Sequence, residues 1–123
     1  MVTIPSFLLR KLYVRNTLKN TSDGFAFELR NKLGSGYAYK LWPLTVDGHE
    51  LPLANTIFKL GDTETCFSAV TRDHTFTLAM NRTIIIKAYG VILEPGIHKI
   101  GMGFDVPGLG TLNFDFSDAL RDD

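Results

Sequence analysis

Residues 93–116 read LEPGIHKIGMGFDVPGLGTLNFDF, and the spacing of apolar side chains within this stretch decides the fold. Ile100, Met102 and Phe104 fall on one face of an extended chain, and Leu112, Phe114 and Phe116 do the same opposite Asn113 and Asp115. That period of two is the signature of a strand with one buried face. Pro107-Gly108 separates the two runs. Glu94-Pro95-Gly96 precedes them and suits a type II turn, with Pro fixing φ at the second position and Gly supplying a positive φ at the third. The stretch is therefore expected to form a β-hairpin with its corners.

The same period extends outward. In GFAFELRN, Phe25, Phe27 and Leu29 share one face and Ala26, Glu28 and Arg30 the other. The preceding LYVRNTLKN runs into Asn20-Thr21-Ser22-Asp23-Gly24, residue types that tolerate tight turns, so these two segments pair as a hairpin. Gly34-Ser35-Gly36 ends that unit, and Tyr37 to Leu44 resumes a strand that Pro43 confines to an edge or exit. Asp47-Gly48 is a two-residue turn signal. Further strands are expected at Thr56–Leu60, Thr75–Met80 and Thr83–Ala88. Only Ile4, Phe7, Leu8 and Leu12 have helical spacing, in a segment that runs straight into strand-like LYV. The expected fold class is all-β: an antiparallel β-sandwich, jelly-roll-like, of roughly seven to nine strands, in a single domain over residues 1–123.

Composition narrows the function classes. With 45% hydrophobic and 21% charged residues the chain can bury a core. Thirteen basic and thirteen acidic residues cancel, which argues against nucleic acid or an anionic membrane as partner. The opening MVTIPSFLLRKLYV lacks the layout of a secretory signal, and no apolar run approaches the roughly 20 residues of a bilayer span. A cytoplasmic protein is expected, with Asn20-Thr21-Ser22 and Asn81-Arg82-Thr83 unused as glycosylation triplets. The single cysteine, Cys66, cannot close an internal disulfide, and Thr65 and Phe67 beside it supply no cation to activate it. It is expected to be a partly buried thiol.

The usual chemical constellations are missing. Gly34-Ser35-Gly36, Gly101-Met102-Gly103 and Gly108-Leu109-Gly110 open no helix that could hold a dinucleotide phosphate, and are expected to serve bends and bulges. His49, His74 and His98 form no metal-ligand pair, and His49 and His98 are expected to flank turns. No serine sits in a G-x-S-x-G elbow. No catalytic, cofactor-binding or metal-binding residue is assigned. Tyr37 and Tyr39 share one strand face and Trp42 the other, with Ala38 and Lys40; these aromatics suit core packing, a sugar-stacking platform or a partner contact. Arg10, Lys11, Arg15 and Lys19 crowd the first twenty residues, whereas Asp105, Asp115, Asp118, Asp122 and Asp123 crowd the last nineteen. The terminal segments are expected to lie together with complementary charge.

Taken in order, FLLRKLYV, the segment ending LKN, GFAFELRN, PLTVDGHELPL, LEPGIHKI and GLGTLNFDFSD resemble the small β subunit of bacterial C-glycoside deglycosidases. That resemblance covers nearly the whole chain. It implies a β-sandwich that pairs with a larger TIM-barrel α subunit, which carries a divalent metal such as manganese and cleaves the carbon–carbon bond of 3-oxo-C-glycosides. This chain would then stabilise and shape the partner's pocket without catalysing. The interface candidates are Phe7, Leu8, Leu9 and Tyr13, with Trp42 and the corner of Pro107 and Leu109. The alternative is a stand-alone carbohydrate-binding or adaptor sandwich that uses Tyr37, Tyr39 and Trp42.

Overall fold

The computed structural model describes residues 4–121. The fold is an all-β, antiparallel sandwich. One sheet runs β1 (Lys19–Asn20), β2 (Gly24–Arg30), β10 (Thr83–Tyr89), β7 (Thr56–Leu60) and β8 (Thr63–Cys66). The other runs β12 (Gly110–Ala119), β11 (Ile97–Val106), β5 (Thr45–Val46) and β6 (His49–Glu50), with β4 (Lys40–Leu41) also pairing β11. β3 (Gly36–Ala38) and β9 (Phe76–Leu78) form a separate pair.

The described residues form twelve strands, more than the seven to nine expected, because bends divide the chain into very short ones. Tyr37 to Leu44 is the clearest case. It bends at Tyr39, so that β3 pairs β9 while β4 pairs β11. The bend also shifts the side-chain parity, leaving Ala38 buried while Lys40 and Trp42 both point outward. Trp42 therefore does not share a face with Ala38, contrary to the simple alternation. β8 was not legible in the sequence, since TETC at a sheet edge carries little apolar signal.

The Leu93–Phe116 stretch forms the expected hairpin, with ten residue pairs from Ile97↔Ala119 to Val106↔Gly110. Ile100, Met102, Phe104, Leu112, Phe114 and Phe116 are all buried. They meet Phe25, Phe27 and Leu29 of β2 and Ile84 and Ile86 of β10 in one core cluster. Phe116 stacks on Tyr13 with ring centroids 3.6 Å apart and meets Phe27 edge-on at 5.2 Å, so one ring joins both sheets and the N-terminal segment.

That N-terminal segment is helical, α1 (Ser6–Leu9) followed by a 3-10 turn at Arg10–Leu12. It buries Leu9 and Leu12 and leaves Phe7 62% exposed. The ends of the chain do complement each other: Arg10 Nε donates to the Asp115 carbonyl at 2.6 Å, and its guanidinium lies 3.5 Å from the Asp115 carboxylate. Asp122 and Asp123 lie outside the described residues.

Two turn signals from the sequence are joined by a histidine. Asp47 and Gly48 both take positive φ, 50° and 89°, to close the β5–β6 hairpin. His98 Nδ1 lies 2.7 Å from Asp47 Oδ2, and Nε2 lies 2.6 Å from the Glu94 carbonyl. Both neighbours are acceptors, so the protonated ring alone can donate to each. The Glu94 carbonyl and then the Asp47 carboxylate raise the His98 pKa, which burial only partly opposes. The Lys99 N–H and then His98 lower that of Asp47.

Two predictions follow from this packing. A Cβ at Gly24 would run into the Ala88 carbonyl across the β2–β10 ladder, so Gly24→Ala is expected to cost about 1–3 kcal/mol in urea unfolding. The His98 contribution is fully present below its ordinary pKa of about 6.5 and is lost as pH rises through the raised native value. The Asp47 contribution is present above the ordinary carboxylate value and is lost as pH falls through the lowered one. Melting temperature should therefore decline on the alkaline side of about pH 6.5, and His98→Gln should remove that decline. An unchanged profile in the variant would refute the assignment.

Candidate functional site

The hairpin that builds the core also shapes the outer surface. With Ile100, Met102 and Phe104 pointing inward, the alternate positions of β11 point outward, and two of them are Gly101 and Gly103. The outer layer of side chains is therefore missing along the middle of that strand. Strands lie about 4.8 Å apart, so the neighbours on either side become the walls of a trough about 630 Å³ in volume, within the usual range of small-molecule sites.

One wall is β12, whose Asp115 pairs Gly101 and whose Asn113 pairs Gly103. The other is Thr45, opposite Gly101, and Trp42, whose backbone N–H donates to the Gly103 carbonyl at 3.0 Å. The walls use the space that the glycines leave. A Cβ at Gly101 would meet the Thr45 hydroxyl, and one at Gly103 would lie 3.3 Å from Asn113 Cβ and 3.6 Å from Trp42 Cβ.

Asp105 braces the two walls where Trp42 and Thr111 stand. Its Oδ1 accepts the Trp42 Nε1–H at 2.8 Å and the Thr111 hydroxyl at 2.6 Å, tying the two walls together. Burial raises the Asp105 pKa, but these two donors and the Lys40 charge outweigh it and keep the carboxylate below its ordinary value. Lys40 Nζ sits 3.9 Å from the Trp42 ring centroid, so the indole is held by both a hydrogen bond and a cation–π contact. Trp42 remains 39% exposed.

Asp115 lies between two cations, 3.5 Å from Arg10 and 3.7 Å from Lys99. The trough thus offers an apolar indole, hydroxyl and amide groups, and charges that compensate one another. Among the described residues no group of three or more His, Cys, Asp or Glu could hold a metal ion, and no helix is long and apolar enough to cross a membrane.

The residues singled out from sequence scatter over this framework. Leu9 and Tyr13 are 2% and 8% exposed, which removes them as interface candidates: they belong to the chain's own core. Leu8 is half-buried, whereas Phe7 and Pro107 are exposed and Leu109 packs partly on the core. Tyr37, Tyr39 and Trp42 do not form one platform. Tyr37 lines a separate apolar groove with Leu33, Val106 and Leu109, and Tyr39 lies beneath the Arg72 guanidinium, 4.1 Å from it. Gly101 and Gly103 serve neither bend nor bulge but sit inside a regular strand. The signal that would have found them is glycine at successive outward positions of an otherwise alternating strand.

A family model described as Hydroxymethylglutaryl-CoA reductase, N-terminal domain, matches residues 8–121. No curated protein matches the chain. The family match overturns the resemblance to the small β subunit of C-glycoside deglycosidases. Two motifs inside the ordered segments that carried it, VDG and L-x-P-G-x-H, are corner chemistry: positive φ at Asp47, Gly48 and Gly96, and a histidine bridging the two corners. Antiparallel sandwiches of many kinds need such corners. The TIM-barrel partner, its divalent metal and the 3-oxo-C-glycoside substrate rested on that resemblance and lose their basis with it.

Proposed function

We propose, from the premise that this chain belongs to the family of hydroxymethylglutaryl-CoA reductase N-terminal domains, that it is a non-catalytic accessory module which binds a neutral, hydroxyl-rich ring. The family's name attaches such domains to a reductase. A module of this kind would serve a catalytic domain rather than carry out the reduction. A sugar ring is the ligand class that the trough suits best.

The observation that carries this proposal is the glycine-floored trough with Trp42 fixed at its edge. A pyranose has an apolar face of C–H groups and a rim of hydroxyls, and it needs a flat hydrophobic surface flanked by mixed donors and acceptors. Trp42 supplies the surface. Its N–H is already occupied by Asp105, so the indole offers apolar contact and loses little freedom on binding. Thr45, Asn113 and the Asp115–Lys99 pair supply donors and acceptors. Their charges are matched, which favours an uncharged ligand over an anion.

Trp42 is the single tryptophan, so its fluorescence reports on the trough directly. Titration of the full chain with a panel of neutral mono- and disaccharides is expected to give saturable quenching with at least one of them. Gly103→Val would push on Asn113 and Trp42 and should weaken binding about tenfold or more, as should Trp42→Ala measured by calorimetry. Failure of the whole panel, or unchanged affinity in both variants, would refute the proposal.

A further inference from the structure

A second depression, about 840 Å³ in volume, lies on the far side of Arg10 from the trough. Its charge is as one-sided as the trough's is balanced. Arg10, Lys11, Arg15 and Lys32 line it, and Asp118 is the one carboxylate among its lining residues. We infer that it is a binding site for a small phosphorylated compound bearing two or more negative charges.

Asp118 offsets only one charge among these cations, and both of its oxygens already accept hydrogen bonds from within the chain. Oδ2 accepts the Tyr13 hydroxyl at 2.7 Å and the Asn16 N–H at 2.8 Å, and Oδ1 accepts the Ala119 N–H at 2.8 Å. Burial works against its ionisation, but these donors and Arg15 hold its pKa below the ordinary value. Asp118 therefore acts as a fixed structural anion that ties the N-terminal segment to β12. Tyr13 donates its one O–H hydrogen bond to Asp118, and its pKa is pushed up to about 12, first by burial and then by that bond. It stays neutral and adds no charge to the depression.

Arg10 is turned toward Asp115. Lys11, Arg15 and Lys32 make no salt bridge among the described residues. A chain with no net formal charge thus gathers four cations against one lining carboxylate around one concavity, an excess of positive charge that a bound anion would relieve. A solvated basic face needs no such concavity. Arginine forks and lysine ammonium groups together suit phosphate oxygens. The exposed ring of Phe7, beside Tyr13 and Phe116, gives the ligand's organic part an apolar surface.

The test is an amide-shift titration of the full-length chain with inorganic pyrophosphate, with orthophosphate and poly-glutamate as parallel arms. Pyrophosphate is expected to give saturable shifts centred on Lys11, Arg15 and Lys32 that weaken steeply with added salt. Orthophosphate should bind at the same residues with lower affinity. The double variant Lys11→Glu/Lys32→Glu alters two exposed side chains and should keep the wild-type melting profile. It should also lose about tenfold or more in pyrophosphate affinity. Three results would each overturn the inference: no saturable shift with pyrophosphate, equal binding by the double variant, or saturation by poly-glutamate alone, which would mark the depression as a docking surface for an acidic protein.

Discussion

The structure depends on the register of the β11–β12 hairpin. Pairing Ile100 with Phe116, Met102 with Phe114 and Phe104 with Leu112 sends six large apolar side chains into the core. The same pairing sets Gly101 opposite Asp115 and Gly103 opposite Asn113 on the outside. A slip of one residue would exchange the two sets, exposing the aromatic face and burying the carboxylate. Core and candidate site are thus opposite faces of one ladder, and the energy of burying the first fixes the geometry of the second.

A few side chains hold the remaining elements against this hairpin. Phe116 contacts Tyr13 and Phe27 at once, and Asp118 holds the Tyr13 hydroxyl and the Asn16 N–H. Asn31, buried to 2% exposure, organises the loop of Gly34 and Ser35. Its amide donates to the carbonyls of Gly34 and Leu78, and its oxygen accepts the N–H groups of Leu33 and Gly34. A buried amide with its partners supplied fixes a loop as an apolar side chain cannot, because any other arrangement leaves polar atoms unsatisfied.

The two depressions share a boundary and differ in electrostatics. Arg10 stands between them, bound to both the carbonyl and the carboxylate of Asp115. On the trough side, Asp115 and Asp105 each have a cation nearby, and the polar groups alternate in kind. On the other side Asp118, hydrogen-bonded within the chain, is the one lining carboxylate among two lysines and two arginines. Charge that sums to zero over the whole chain is therefore strongly patterned locally, and composition alone does not report that pattern.

Local chemistry was enough to determine the strands that alternate, the inward faces of GFAFELR and of the final hairpin, and the positive-φ corners at Asp47-Gly48 and Gly96. Each depends on neighbours only a few residues apart. The bend at Tyr39 was not legible, because it exists to let one segment pair with two different strands. Nor was the burial of Leu9 and Tyr13, which depends on where the short helix meets β12. The trough required tertiary pairing: Trp42 and Thr45 are far along the chain from Gly101, Gly103 and Asn113, and only β-ladder register brings the two groups onto one surface. Period-two patterning states which way a side chain points, whereas the identity of what stands beside it is decided when the strands pair.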